Sequence, residues 1–268
     1  MSIGGLFALL GYNPGYRDAV LKPMTKLRIR FALALLLLLA LVSNAFATTW
    51  FPKDVTCPVC RTVNQFQVPA SYGSYVYQEP SKLQYVFWPA TTDKFLYTCK
   101  QCRLTAYMGD FEAVPKEKVD ELAKMLESEA KIEGPLVPYF DIPMVARLPI
   151  AERVYRIVGR DDNFWCEFRR VQGYHLEAAS RADEARAARL KALEIAEKLL
   201  KQPSSMRKET LVIAASMRKL TGDAEGARRE LQEAKALTFE SKALGAESSE
   251  GLNGYLDSLI EELLQALR

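Results

Sequence analysis

Histidine is almost absent: His175 is the only one in 268 residues. There is no His-Glu-x-x-His motif, no glycine-rich phosphate loop and no serine–histidine–aspartate order with its surrounding signature. The usual sequence marks of a zincin, a P-loop protein and a serine hydrolase are therefore missing. A single-sign charge excess is missing too. The chain carries 36 basic and 33 acidic residues, of which residues 1–47 hold five and one, leaving 31 and 32. A body so near neutrality has no global attraction for nucleic acid. Long apolar runs are also lacking. Phe31–Val42 is an apolar run of 12 residues, whereas a membrane span needs about 20. With 49% hydrophobic and 26% charged residues, the composition excludes wholesale disorder, collagen-like repeats and a polytopic membrane protein. The length allows one or two domains.

The apolar run has a setting of its own. Lys26, Arg28 and Arg30 precede it, and Ser43, Asn44 and Ala45-Phe46-Ala47 follow. A basic stretch, a short apolar core and a small-x-small site make a secretory signal peptide. We read residues 1–47 as that signal, with the natural start at Met24 and cleavage after Ala47. The alternative is an uncleaved N-terminal anchor, the only contact with membrane that the sequence predicts. No cysteine follows the run, which argues against lipid attachment. Either way the body is expected outside the cytoplasm, periplasmic or secreted.

The expected fold class is α+β. Nearly half of the aromatic residues fall within 48–114. Short β-type runs recur there at Asn64–Val68, Ser74–Gln78, Leu83–Trp88 and Lys94–Thr98, punctuated by proline and glycine, which predicts an antiparallel β domain. Residues 115–147 read as a helix opened by Pro115 and stopped by Gly134-Pro135, then a connector marked by Pro138, Pro143 and Pro149. Residues 148–268 read as helices only, over about 150–159, 162–179, 181–201, 206–221, 223–237 and 249–267.

The cysteines carry the strongest signal. Cys57-Pro-Val-Cys60 and Cys99-Lys-Gln-Cys102 are two CxxC motifs. Two such loops can each present two thiolates and complete a tetrahedron of sulfurs, the closed shell of structural zinc. Soft sulfur ligands exclude calcium and magnesium. One Zn2+ is the expected cofactor, with Cys57, Cys60, Cys99 and Cys102 as its ligands. Two alternatives stay open. One CxxC pair is a catalytic dithiol, which an oxidising compartment favours, or the motifs form two plain disulfides, although so small a loop restrains little of the unfolded chain.

These motifs, with Val55-Thr56 before the first, Tyr97-Thr98 before the second, Ala106 and Phe111 after it, and the helices from about Ala178 to Leu237, resemble a bacterial protein family. Its members join an N-terminal four-cysteine zinc ribbon to tetratricopeptide-like helices. The resemblance implies an architecture and no chemistry. Knuckles of this kind usually place glycine after the second cysteine, where this chain has Arg61 and Arg103. Many relatives are cytoplasmic, so the signal peptide is a second departure. The helices carry their own trace of the repeat. Gly222-Asp223 makes a turn and Ala227, Leu231 and Ala234 follow at the repeat spacing. Ala185 and Ala192 fit a degenerate copy in which Arg189 replaces the bulky residue. At most two units can be counted, so the terminal helix is expected to cap the stack.

Lone candidates for chemistry are weaker. His175 shares a helical face with Phe164, Phe168 and Val171, as a hydrogen-bonded core residue does. Cys166 lies nine positions earlier, which on an unbroken helix puts it on the opposite side, so the two make no nucleophile–base pair. Asp161-Asp162 read as a helix start. The expected function is therefore binding or assembly of a protein partner, with the metal holding the ribbon and no catalytic residue assigned. The second reading is a thiol–disulfide oxidoreductase.

Overall fold

A computed structural model describes residues 49–71, 91–128, 137–239 and 246–268. The expected signal peptide and its start lie outside the described residues, as do the expected strands at 74–78 and 83–88 and the Gly134-Pro135 stop. Two small antiparallel sheets precede seven α-helices among the described residues, an α+β arrangement. Strand β1, Thr49–Thr56, pairs with β2, Val63–Ser71, and β3, Leu96–Thr98, pairs with β4, Thr105–Tyr107. The helices are α1 (Val119–Glu127), α2 (Met144–Val158), α3 (Asp162–Ala178), α4 (Ala182–Leu200), α5 (Arg207–Thr221), α6 (Ala224–Lys235) and α7 (Ala246–Gln265). No helix among the described residues is long and apolar enough to cross a membrane.

Local chemistry explains most boundaries. Asp161 starts α3 by accepting the Phe164 amide at 2.9 Å, and Asp223 starts α6 by accepting that of Gly226 at 2.8 Å. Each satisfies an amide that the first helical turn leaves without a partner. Gly222, at φ 98°, ends α5 in the left-handed conformation that glycine takes without steric cost. One boundary differs from expectation. Helix α2 begins at Met144 instead of Ile150, and Pro149 lies inside it. Pro149 has no amide to give to Val145 and disfavours an interior turn. Its ring is exposed, however, while Met144, Arg147, Leu148, Ala151, Val154 and Tyr155 form one continuous buried face. Burial of that stripe outweighs the proline.

The first core is aromatic. Phe66 of β2 stacks on Tyr97 of β3 with centroids 4.0 Å apart, and meets Phe111 and Tyr139 edge-on at 4.9 Å each. The same apolar cluster continues through Leu122 of α1, Leu148, Val154 and Tyr155 of α2, and Phe168 and Val171 of α3. Polar groups bind it together. Tyr139 Oη donates to the Lys94 carbonyl at 2.8 Å and accepts the Gln67 amide at 3.2 Å, and Tyr97 Oη donates to the Gln67 carbonyl at 3.1 Å. Arg147 is wholly buried. Its Nη1 donates to the carbonyls of Asp93 at 2.9 Å and Leu96 at 2.7 Å, and burial lowers its pKa to about 10. Tyr155 Oη accepts the Tyr107 amide at 2.7 Å and donates to Asp110 at 2.8 Å. Helix α2 thus grips both strands of the second hairpin.

The later helices form two hairpins, α3–α4 and α5–α6. Gly173 of α3 lies against α4 so closely that a Cβ there would stand 2.9 Å from Arg189 Cγ. Arg189 lays its aliphatic stem against Gly173 and pairs its head with Glu177 at 2.6 Å. Arg181 and Arg229 pair with nearby acids at the surface, as expected for a solvated face. Helix α5 is enclosed, with Leu211 to Met217 buried at every position, a run that covers its whole circumference. Helix α7 turns back onto this layer. Leu256, Leu259, Ile260, Leu263 and Leu267 pack with Leu211, Val212, Ala215, Leu231 and Phe239. Lys208, only 2% exposed, fixes the register by donating to Asn253 at 2.6 Å and Asp257 at 2.7 Å. Truncation after Gly245 should therefore lower the thermal midpoint and helicity of the helical part. Ile260→Ala should cost about 2–5 kcal/mol in denaturant unfolding, whereas a helix that projected free would tolerate both changes.

Candidate metal centre

Each cysteine pair sits at the tip of a hairpin, and the two tips have the same hydrogen bonds. In the first, the Cys57 amide donates to the Thr62 carbonyl at 2.9 Å and the Arg61 amide to the Cys57 carbonyl at 3.0 Å. In the second, Cys99 donates to Leu104 at 2.8 Å and Arg103 to Cys99 at 3.1 Å. The chain reverses tightly enough that the residue after the second cysteine has positive φ, 63° at Arg61 and 70° at Arg103. Glycine would take this conformation freely, but here arginine bears the left-handed cost, about 1–2 kcal/mol each. The departure from glycine leaves the turn unchanged and makes it more strained.

The structure brings all four expected cysteines together. Their Sγ atoms lie within 4.8 Å of one another, and this is the one such group of potential ligands among the described residues. Cys57 meets Cys102 at 3.6 Å and Cys60 meets Cys99 at 3.5 Å. Four bonds of about 2.3 Å at tetrahedral angles would set sulfurs about 3.8 Å apart, so the set fits a metal ion such as zinc. All are free thiols, and both contacts are far longer than the S–S bond of a disulfide, about 2.05 Å. Cys57 and Cys99 are fully buried, while Cys60 and Cys102 are half-buried.

Electrostatics sharpen the point. Hydrogen bonds from Cys102 and Cys57 hold the Cys99 thiol well below its ordinary range. Cys102 is pushed far up by its contacts with Cys57 and Cys99 and by burial. At Cys57 the bond to Cys102 pulls downward, but Cys99 and burial outweigh it and the pKa rises to about 12. Without a cation, negative charge is favoured at Cys99, while Cys57 and Cys102 favour their protonated forms. Four thiolates at this spacing need a positive ion between them.

Asn64 was not legible as part of the site. It is 2% exposed. Its Nδ2 donates to Cys99 Sγ at 3.5 Å and to the Thr62 carbonyl at 3.0 Å, and its Oδ1 accepts the Lys100 amide at 2.9 Å. One side chain on the strand leaving the first knuckle thereby holds the backbone and a sulfur of the second. The only sequence signal was a polar residue at an inward position of a strand.

The other candidates lie apart from this centre. Cys166 is buried among Ala192, Leu193, Ala196 and Met217, donates to the Ala192 carbonyl at 3.6 Å, and has its thiol pushed up by burial. His175 is buried on α3 with its ring edge-on to Tyr174 at 5.1 Å. Nine helical residues separate it from Cys166, about 13 Å along the axis. Comparisons with protein families, curated proteins and solved structures gave no match.

Two substitutions test this geometry. Asn64→Leu keeps the volume and removes three hydrogen bonds, so metal affinity measured by competition with a chromogenic chelator should fall about 10–100-fold. Arg61→Gly relieves the left-handed turn and should raise unfolding free energy by up to about 1 kcal/mol. A loss of stability would show that the arginine side chain contributes more than its backbone strain costs.

Proposed function

We propose that Cys57, Cys60, Cys99 and Cys102 hold one structural Zn2+ in a ribbon, and that the protein is an exported binding or assembly factor for a protein partner. The observation that carries this reading is the convergence of four sulfurs from two matching knuckles. A four-sulfur shell leaves no open coordination position for chemistry, which is the mark of a structural site. The helical part supports a binding role. Ala185, Arg189 and Ala192 on α4 correspond to Ala227, Leu231 and Ala234 on α6, and all six are buried where each hairpin closes. This matches a two-unit tetratricopeptide-like array capped by α7, the architecture of the bacterial family that the sequence resembles. The signal-like N-terminus supports a periplasmic or secreted location, with membrane contact only through that segment if it is retained.

The thiol–disulfide oxidoreductase reading assigns the chemistry to Cys57/Cys60 or Cys99/Cys102. A dithiol catalyst works within one motif, whereas here the sulfurs of each motif also contact those of the other, Cys57 with Cys102 and Cys60 with Cys99. That favours a shared metal over a redox pair.

Metal analysis and thiol titration of the purified protein test the proposal. We expect one zinc per chain, four thiols protected until a chelator is added, and no disulfide reductase activity in the loaded protein. Chelation should abolish the near-ultraviolet signal of the Phe66–Tyr97 stack while most helical signal persists, because binding energy at such a site is folding energy. Acidification should do the same. Cys57 and Cys102 favour their protonated forms, so protons compete with the metal more strongly as pH falls. Reductase turnover that survives in a Cys99→Ser/Cys102→Ser variant and vanishes on mutation of Cys57 would establish the oxidoreductase instead.

A further inference from the structure

The arrangement of the sulfurs bears on what happens to the ribbon when metal is lost under oxidising conditions. Two close contacts cross between the knuckles, and each joins a buried cysteine of one to a half-buried cysteine of the other, Cys57 to Cys102 at 3.6 Å and Cys99 to Cys60 at 3.5 Å. A disulfide needs about 2.05 Å, so closing either pair takes a movement of about 1.5 Å. The backbone beneath is already braced by Asn64, which ties the Thr62 carbonyl to the Lys100 amide and Cys99, and by the Phe66–Tyr97 stack under the two hairpins. The topology matters as well. A bridge within one CxxC motif closes a loop of a few residues and leaves the knuckles unlinked. Bridges between motifs span sequence separations of 45 and 39 residues. They restrain far more of the unfolded chain and join the same two hairpin tips that a metal would join.

We propose that this cluster is a second kind of site, for disulfide exchange, in which oxidation links Cys57 to Cys102 and Cys60 to Cys99. The ribbon is then held either by zinc or by two bridges between its knuckles. The proposal rests on the zinc reading for its reduced form only. With a small disulfide such as oxidised glutathione as the oxidant, the chemistry balances in two steps per bridge. The half-buried thiol, Cys60 or Cys102, gives its proton to solvent, attacks the glutathione disulfide, forms a mixed disulfide and expels one glutathione thiolate, which takes up a proton. The buried partner, Cys99 or Cys57, then attacks the protein sulfur of that mixed disulfide and expels the second. Each bridge moves two electrons from protein to glutathione, and the two bridges consume two glutathione disulfides. The metal leaves as its thiolate ligands are used.

The sequence makes the pairing easy to read. Trypsin cuts after Lys53, Arg61, Lys94, Lys100 and Arg103. Cys57 and Cys60 therefore share the peptide 54–61, Cys99 lies in 95–100 and Cys102 in 101–103. Purified full-length protein as isolated, with its metal content measured, is treated with oxidised glutathione at neutral pH, alkylated in acid and digested without reduction. Inter-knuckle pairing holds all three peptides in one disulfide-linked species, whose fragmentation assigns Cys57 to 101–103 and Cys60 to 95–100. The oxidised, metal-free form should melt about 10 °C above the reduced, metal-free form. Release of 54–61 with an internal bridge, together with 95–100 joined to 101–103, would overturn the proposal, as would the alternative pairing of Cys57 with Cys99. A Cys57→Ser/Cys102→Ser variant gives a second reading, since it should close a single Cys60–Cys99 bridge and lose two of its three free thiols, leaving Cys166. Retention of glutathione on both Cys60 and Cys99 of that variant also overturns the proposal. Protein isolated without zinc that still yields the inter-knuckle bridges would remove the metal reading and leave the disulfide site standing.

Discussion

Four sulfurs drawn within 4.8 Å of one another create an electrostatic problem on which the ribbon is built. The folded hairpins bring the thiols together through turns set by backbone hydrogen bonds and through the aromatic core below. Charge is what the fold leaves unresolved. A single thiolate can be stabilised by its neighbours, as at Cys99, but only while those neighbours stay neutral. Coulomb repulsion in a half-buried cluster rises steeply with each added charge. A divalent cation removes that repulsion and takes the place of the shared protons.

The ribbon is not braced by its cysteines alone. Among the described residues its two sheets have two strands each, and an isolated hairpin is at best marginally stable in water. The helices make up the difference. Helix α2 reaches the second hairpin with a buried guanidinium at Arg147 and a phenol at Tyr155, while Tyr139 ties β2 to the start of β3. The bonds these groups make go mostly to backbone carbonyls and amides, so they hold the strands by the main chain. Arg147 is the expensive member, since burying its charge is costly without a close carboxylate. Its guanidinium is 3.7 Å from Asp93, whose side chain is largely exposed.

The sequence made much of this legible, for physical reasons that differ by element. Helices α3 to α7 were visible because amphipathic periodicity and capping residues such as Asp161 and Asp223 act locally. The cysteine quartet was visible because sulfur chemistry requires a spacing that chance seldom supplies. Helix α2 was misplaced at its start because Pro149 is a local breaker, and only its tertiary contacts show that the stripe from Met144 prevails. Strand β1 was missed because its side chains are mostly exposed and offer no alternation to read. Asn64 was missed for a deeper reason. Its partners lie 35 and 36 residues away, and no local pattern marks a polar side chain whose role depends on another hairpin.

The enclosure of α5 has a consequence for how far the sequence can drift. Seven successive buried positions, Leu211 to Met217, each meet a neighbour, so each admits few residue types of similar volume. On α4 and α6, by contrast, only the inner half is held, and the outer half can change at little cost. Information about this fold is therefore unevenly spread along the chain. It is dense at the two knuckles and in one helical heptad, and thin across the charged surfaces that make up much of the length. A comparison that weighs all positions alike dilutes the few that matter. A pattern built from the cysteine spacings, the inward asparagine and the 211–217 run would retain them.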